Sequence, residues 1–178
     1  AENVSYFVFE AFDEPWKARE GSVGAHWGIW DKDGNLKPGM EKVFNWETLP
    51  NNWGTEIIDG PGDPAIVFTY VPPYGSGEYL EGRVSHVKPA DYRVAVYIKV
   101  GSGWWTKPYW AWPLTIIEPD GSWVCDIVTG GIDEQATEIA AFLLPRGYDP
   151  PLMSGQSVLP PELYGNALTW VNVTRIPT

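Results

Sequence analysis

The sequence has one cysteine, two histidines, twelve basic residues and no long apolar run, and each shortage removes a class of function. Cys125 has no partner for an intramolecular disulfide, so the fold must stand on packing, and Cys125 itself reads as a small buried apolar residue. His26, His86 and Cys125 show no ligand spacing, which argues against zinc. Twelve Lys and Arg against 23 Asp and Glu leave a net charge of −11, a field that repels phosphate backbones and anionic headgroups. Nucleic acid and membrane surfaces are therefore poor partners, and neutral sugars or cations suit the chain better. No stretch approaches the roughly 18 apolar residues of a membrane span. The start, Ala1-Glu2-Asn3, lacks the regions of a signal peptide and leaves a cleaved leader open. Neither a phosphate-cradling glycine loop nor a nucleophile elbow is present, so no cofactor is expected. At 178 residues the chain is too short to close an eight-fold β/α barrel, which needs roughly 200 at least.

What is abundant is aromatic and turn-forming. The 11 Trp, 9 Tyr and 6 Phe exceed ordinary usage, and the 19 Gly and 17 Pro imply short strands and many turns. Tyr6 to Phe9 form a continuous apolar run, which predicts an interior strand over residues 5–12, ended by acidic residues and Pro15. Residues 36–64 carry Pro38, Gly39, Pro50, Gly54, Gly60, Pro61, Gly62 and Pro64 and read as a boundary. Beyond it, strands are predicted over residues 65–71, 82–87, 92–100, 114–117, 122–127, 137–144 and 167–176. Residues 92–100 alternate best, and Glu118-Pro119-Asp120-Gly121 predicts a hairpin turn between residues 114–117 and 122–127. Asp133 caps a short helix in a competing reading of residues 133–144. Strands near ten-residue spacing predict a mainly β chain, an antiparallel sandwich of immunoglobulin-like or jelly-roll-like form. The expected layout is a strand-bearing segment 1–40, a linker 41–64 and a sandwich 65–178.

The densest chemical signal is Gly101-Ser102-Gly103-Trp104-Trp105-Thr106-Lys107-Pro108-Tyr109-Trp110-Ala111-Trp112-Pro113. Pyranose rings present flat C–H patches that stack on indole faces while polar groups take the hydroxyls. Trp104, Trp105, Trp110 and Trp112 are thus candidate sugar platforms, with Lys107, Glu118 and Asp120 as hydrogen-bonding neighbours. The competing reading places these indoles in the core. Asp31-Lys32-Asp33-Gly34-Asn35 has the alternating oxygens of a calcium loop, but the twelfth position is Lys42 where a bidentate Glu belongs, so no metal is expected. Asn3-Val4-Ser5 and Asn172-Val173-Thr174 are glycosylation sequons, short enough to arise by chance.

Residues 6–17, an aromatic strand followed by Glu10, Asp13, Glu14, Trp16 and Lys17, and then Gly24-Ala25-His26-Trp27-Gly28-Ile29-Trp30, resemble the last barrel strand of bacterial and fungal-type β-1,3-glucanases of glycoside hydrolase family 17. The resemblance covers residues 4–38, one β/α unit of eight. It implies that Glu10, Asp13, Glu14, Trp16 and Lys17 match positions lining a substrate cleft. It also implies that the general acid and nucleophile lie on earlier strands absent here, so no catalytic residue is assigned. Glycoside hydrolysis needs two carboxylates about 5 Å apart for retention or roughly 6.5 to 9.5 Å for inversion, and spacing in sequence cannot show that for Glu10 and Glu14.

Three functions follow as expectations. The first is a carbohydrate-binding accessory region of a secreted β-1,3-glucanase-like protein, extracellular or at the cell surface, not catalytic alone. The second is an extracellular subunit that self-associates into filaments by adding residues 4–12 to a neighbour's sheet edge. The third is a fragment of an active glycoside hydrolase that needs its missing strands from another chain.

Overall fold

A strand covered on both faces carries apolar residues at successive positions, and the middle of residues 92–100, Val94 to Ile98, does so. Val94, Val96 and Ile98 enter one apolar cluster while Ala95 and Tyr97 enter another on the opposite face. The computed structural model describes residues 13, 28–37 and 54–177. The chain divides into two compact units, Ala1–Asn51 and Asn52–Thr178. The strand expected over residues 5–12 lies outside the described residues.

The second unit is a mainly β, antiparallel sandwich. Its strands are β1 (Ala65–Tyr70), β2 (Leu80–Ser85), β3 (Tyr92–Val100), β4 (Gly103–Lys107), β5 (Ser122–Cys125), β6 (Glu138–Pro145), β7 (Ser154–Gln156) and β8 (Thr169–Thr174). One short helix, α1 (Pro161–Asn166), precedes β8. One sheet has the order β1-β2-β5 and the other β7-β4-β3-β6-β8. First, second and fifth strands on one layer, with third, sixth and last on the other, is the immunoglobulin-type arrangement of the two forms expected.

The inter-sheet core joins Leu80, Val84, Trp123 and Cys125 from the three-stranded sheet to Val94, Val96, Ile98, Ile139, Ala141 and Leu143 from the other. Cys125 is fully buried, as its apolar character implied, and burial pushes its thiol up to about 12. The second cluster lies on the outer face of the five-stranded sheet. There Met153, Leu159 and Leu163, from the segment between β6 and β8, cover Ala95, Tyr97, Ala140, Phe142 and Leu144. That double coverage explains the unbroken apolar run of β6.

Several boundaries differ from expectation, each for a local reason. The β2 ladder begins at Leu80 and ends at Ser85, because His86 turns to positive φ (59°) and donates its N–H to the Ile58 carbonyl instead of continuing the strand. The Glu118–Gly121 turn forms, with Gly121 N–H on the Glu118 carbonyl at 2.9 Å and φ of +89° at Gly121. Its first arm is not a strand, however. Thr115 forms only a single bridge to Val94, while β5 pairs with β2. Asp133–Gln135 is a single 3-10 turn, and the strand starts at Glu138. Residues 103–107, expected as a link between strands, form β4, in a tight hairpin with β3 that turns at Gly101 (φ 60°). No helix among the described residues is long and apolar enough to cross a membrane.

Candidate functional site

Antiparallel register decides which tryptophans face solvent. Trp104 pairs with Lys99 and Thr106 with Tyr97, placing both on the outer-face side, whereas Trp105 pairs with Ile98 and Lys107 with Val96, on the inter-sheet side. Trp104 joins the second core cluster at 7% exposure, and the Lys99 ammonium sits 5.6 Å from its ring centroid. Trp105 lies where β4 runs beside the three-residue strand β7, and 40% of it stays exposed. Its partner on β7 is Ser154, and the register shifts there at Gly155 (φ +108°), which falls between the Trp105–Ser154 and Trp104–Gln156 pairs.

Past a cis Lys107–Pro108 bond the chain makes a tight turn, with Trp112 N–H on the Tyr109 carbonyl at 3.1 Å. Trp110 and Trp112 project from it, 54% and 72% exposed. Isolated exposed tryptophans on a loose loop would be ordinary surface; here the turn is anchored from below. Lys107, buried, donates to Thr129 Oγ1 at 2.9 Å and forms an ion pair with Asp133. Thr129 Oγ1 in turn donates to the Pro108 carbonyl at 2.8 Å. Asp133 Oδ2 also accepts the backbone N–H groups of Thr129 and Gly130 at 3.0 and 2.9 Å. One buried network thus ties the segment 129–133 to the start of the tryptophan turn.

Asp126 belongs to the same region. Its carboxylate accepts Val128 N–H at 2.9 Å, and burial raises its pKa to about 6, opposed by that hydrogen bond and by the nearby Lys107 charge. Tyr79 and Tyr109 both have raised pKa values, first through burial and then through the charge of Asp126, so the two phenols and the carboxyl share one neighbourhood. Sequence reasoning passed over Asp126 and Tyr79. The available signal was an acid inside the apolar run Trp123-Val124-Cys125-Asp126-Ile127. Of the neighbours named from sequence, Lys107 is committed to the buried network, and Asp120 caps its own turn by accepting Ser122 N–H and Oγ–H.

In the first unit Asp13 is buried and accepts Gly28 N–H at 2.9 Å and Lys37 Nζ at 2.6 Å, while its own N–H reaches the Trp30 carbonyl. Asp31 organises the Asp31–Asn35 turn: its Oδ1 takes the N–H groups of Asp33 and Asn35, and its Oδ2 takes Asn35 Nδ2. These bonds hold its pKa below the ordinary value, the Asn35 side chain contributing most. Glu10, Glu14, Trp16 and Lys17 lie outside the described residues.

No family model matches the chain. No solved structure matches it either. Among curated proteins, the glucan endo-1,3-beta-glucosidase btgC of Emericella nidulans is 50% identical over 42 residues, which is 21% of this chain and 6% of that protein. The glucan 1,3-beta-glucosidase of Candida albicans is 42% identical over 45 residues, 24% of this chain and 15% of that protein. The chain therefore spans a small fraction of the relatives it matches. It is related to fungal glucan 1,3-β-glucosidases over a short region.

Proposed function

We propose that the chain is a polysaccharide-binding region of an extracellular or cell-surface protein, that its ligand is a β-1,3-glucan, and that it does not hydrolyse glycan by itself. One observation carries the binding half of this reading: Trp110 and Trp112 stand more than half exposed on a turn fixed by the buried Lys107–Asp133 pair. Exposed indoles on a backbone turn anchored at its base offer flat faces to a sugar ring, and neighbouring polar groups orient the hydroxyls. Trp105, 40% exposed on β4, is the third platform of this reading, whereas Trp104 is buried on the opposite face of the same strand and takes no part in it. The choice of β-1,3-glucan rests on the printed activities of the relatives. The absence of independent hydrolysis rests on how little of those relatives the chain spans, 15% and 6%.

Affinity electrophoresis in gels cast with laminarin tests the reading. The chain is expected to be retarded, and the Trp110→Ala/Trp112→Ala double variant is expected to run as in a sugar-free gel with its thermal melting unchanged. Equal retardation of both proteins would remove this turn as the site. Release of reducing sugar from laminarin by the purified chain would overturn the non-catalytic half.

A further inference from the structure

The outer face of the five-stranded sheet is covered by residues 146–168 over part of its area only. Register sets Thr174, Glu138, Lys99, Trp104 and Gln156 in one row across all five strands, β8 to β7. Along β8, Asn172 and Trp170 follow Thr174 at the two-residue period and face the same way, and all three are exposed. Trp170 stands opposite Phe142 in the ladder and leaves 50% of its surface in solvent.

That indole is held in place. Tyr97 and Phe142 meet edge to face at 6.0 Å, Phe142 and Tyr164 at 5.0 Å, and Tyr164 and Trp170 at 5.4 Å, each pair within about 12° of perpendicular. Tyr97 is fully buried and its hydroxyl donates to the Pro151 carbonyl at 2.9 Å. A relay of four rings therefore runs from the core to the surface and ends on Trp170, a cost in ordering that no incoming ligand has to meet.

The polar groups that continue the same face along β8, and the row at its far end, are neutral or compensated. Asn172 and Thr174 offer an amide and a hydroxyl, and Lys99 and Glu138 are already paired at 2.7 Å. In a chain of net charge −11, a strip with no unpaired charge among these residues suits an uncharged ligand rich in hydroxyls. One fixed aromatic surface with a few placed polar groups is the make-up of a sugar site, whereas a stable protein interface needs about 800 Å² on each side with an apolar centre.

We propose that this strip, Trp170 with Asn172, Thr174 and the Lys99–Glu138 pair, is a second glycan-binding face that holds a neutral β-linked glucose chain, separate from the Trp110–Trp112 turn. It borrows only the choice of glucan from the proposed function.

The test uses the 178-residue chain made in bacteria, where Asn172 carries no glycan, labelled with ¹⁵N at the indoles and titrated with laminarihexaose and cellohexaose. The Trp170 indole resonance is assigned by its loss in Trp170→Phe. In a Trp110→Ala/Trp112→Ala background it is expected to move, and Trp170→Ala is expected to weaken the remaining binding by about tenfold, the scale of one aromatic contact. Asn172→Ala, at an exposed position, keeps the fold and is expected to weaken binding as well. If the Trp170 resonance stays still with both sugars, the second face does not exist, whatever the turn does. If the turn variant changes nothing while Trp170→Ala abolishes binding, this face stands and the proposed turn site fails. If Trp170→Ala instead lowers the mass seen by light scattering without touching sugar binding, the strip is a contact between copies and the inference is overturned.

Discussion

Gly82 on β2 lies opposite Trp123 on β5, and a Cβ built on Gly82 would stand 2.1 Å from the indole ring and 2.6 Å from the Val67 carbonyl. The fully buried Trp123, packed edge to face with Phe68 at 6.1 Å, occupies the space that any other side chain at residue 82 would fill. Gly82→Ala should therefore overpack the inter-sheet core and lower stability by about 1–3 kcal/mol. Urea denaturation followed by tryptophan fluorescence measures it. A variant as stable as the parent would show that the two sheets can separate locally without cost.

Lys107→Met removes the ammonium from a buried pair and leaves the Asp133 carboxylate with backbone donors alone. Breaking such a pair from one side costs about 3–5 kcal/mol, and the same loss should free the tryptophan turn, weakening laminarin binding as well. Denaturation midpoints and gel retardation on one preparation check both halves.

Asp126 has a folded-state pKa of about 6, above its ordinary value of 3.8. Below pH 4 it is protonated in both states and contributes nothing to the pH dependence. Between pH 4 and 6 the unfolded chain ionises first, so stability falls as pH rises, and above 6 the penalty is constant. Asp126→Asn cannot ionise, so its stability relative to the parent should grow across pH 4–6.5 and then level off. A difference between the two proteins that does not change with pH would place the Asp126 carboxyl in water.

Arg175 is buried, with its guanidinium donating to the carbonyls of Ala136, Pro72, Pro73 and Glu134 at 2.8 to 3.2 Å. Arg175→Met should leave these acceptors short of donors and destabilise the unit by about 2–4 kcal/mol. Arg175→Lys should rescue little, because an ammonium lacks the planar fork that reaches several carbonyls together. Thermal melting of the two variants separates these outcomes.

Trp104→Ala and Trp112→Ala make a paired contrast. The first empties a core position and should cost about 3–5 kcal/mol of stability, whereas the second should leave the melting temperature within about a degree and act on binding alone. Circular dichroism melts beside laminarin gels distinguish the two.

Much of the sandwich was legible in the sequence. The alternation of residues 92–100, the Asp-Gly turn at 120–121 and the apolar run ending at Pro145 reflect local rules of pleat, turn chemistry and missing donors, which act wherever the segment sits. Residues 103–107 were not legible as a strand, because glycine, two adjacent tryptophans and a following proline fit a loop equally well. Their strand state depends on the β3 edge beside them. For residues 114–117 the sequence argued for an arm of a hairpin, yet Thr115 found Val94 and β5 found β2, a choice between partners distant in the chain.

The sequence by itself determined a mainly β chain, a net charge of −11, a buried thiol and an excess of tryptophan, since composition and two-residue periodicity follow from side-chain chemistry alone. Only the tertiary structure decided the role of each tryptophan. Trp104 and Trp105 are chain neighbours on opposite faces of one strand, and which face is covered depends on where residues 146–168 pack. Trp170 gains its fixed place through rings at Tyr97, Phe142 and Tyr164, and Lys107 finds Asp133 across 26 residues. Burial and pairing at such separations are properties of the packed chain, because they depend on which surfaces close against each other.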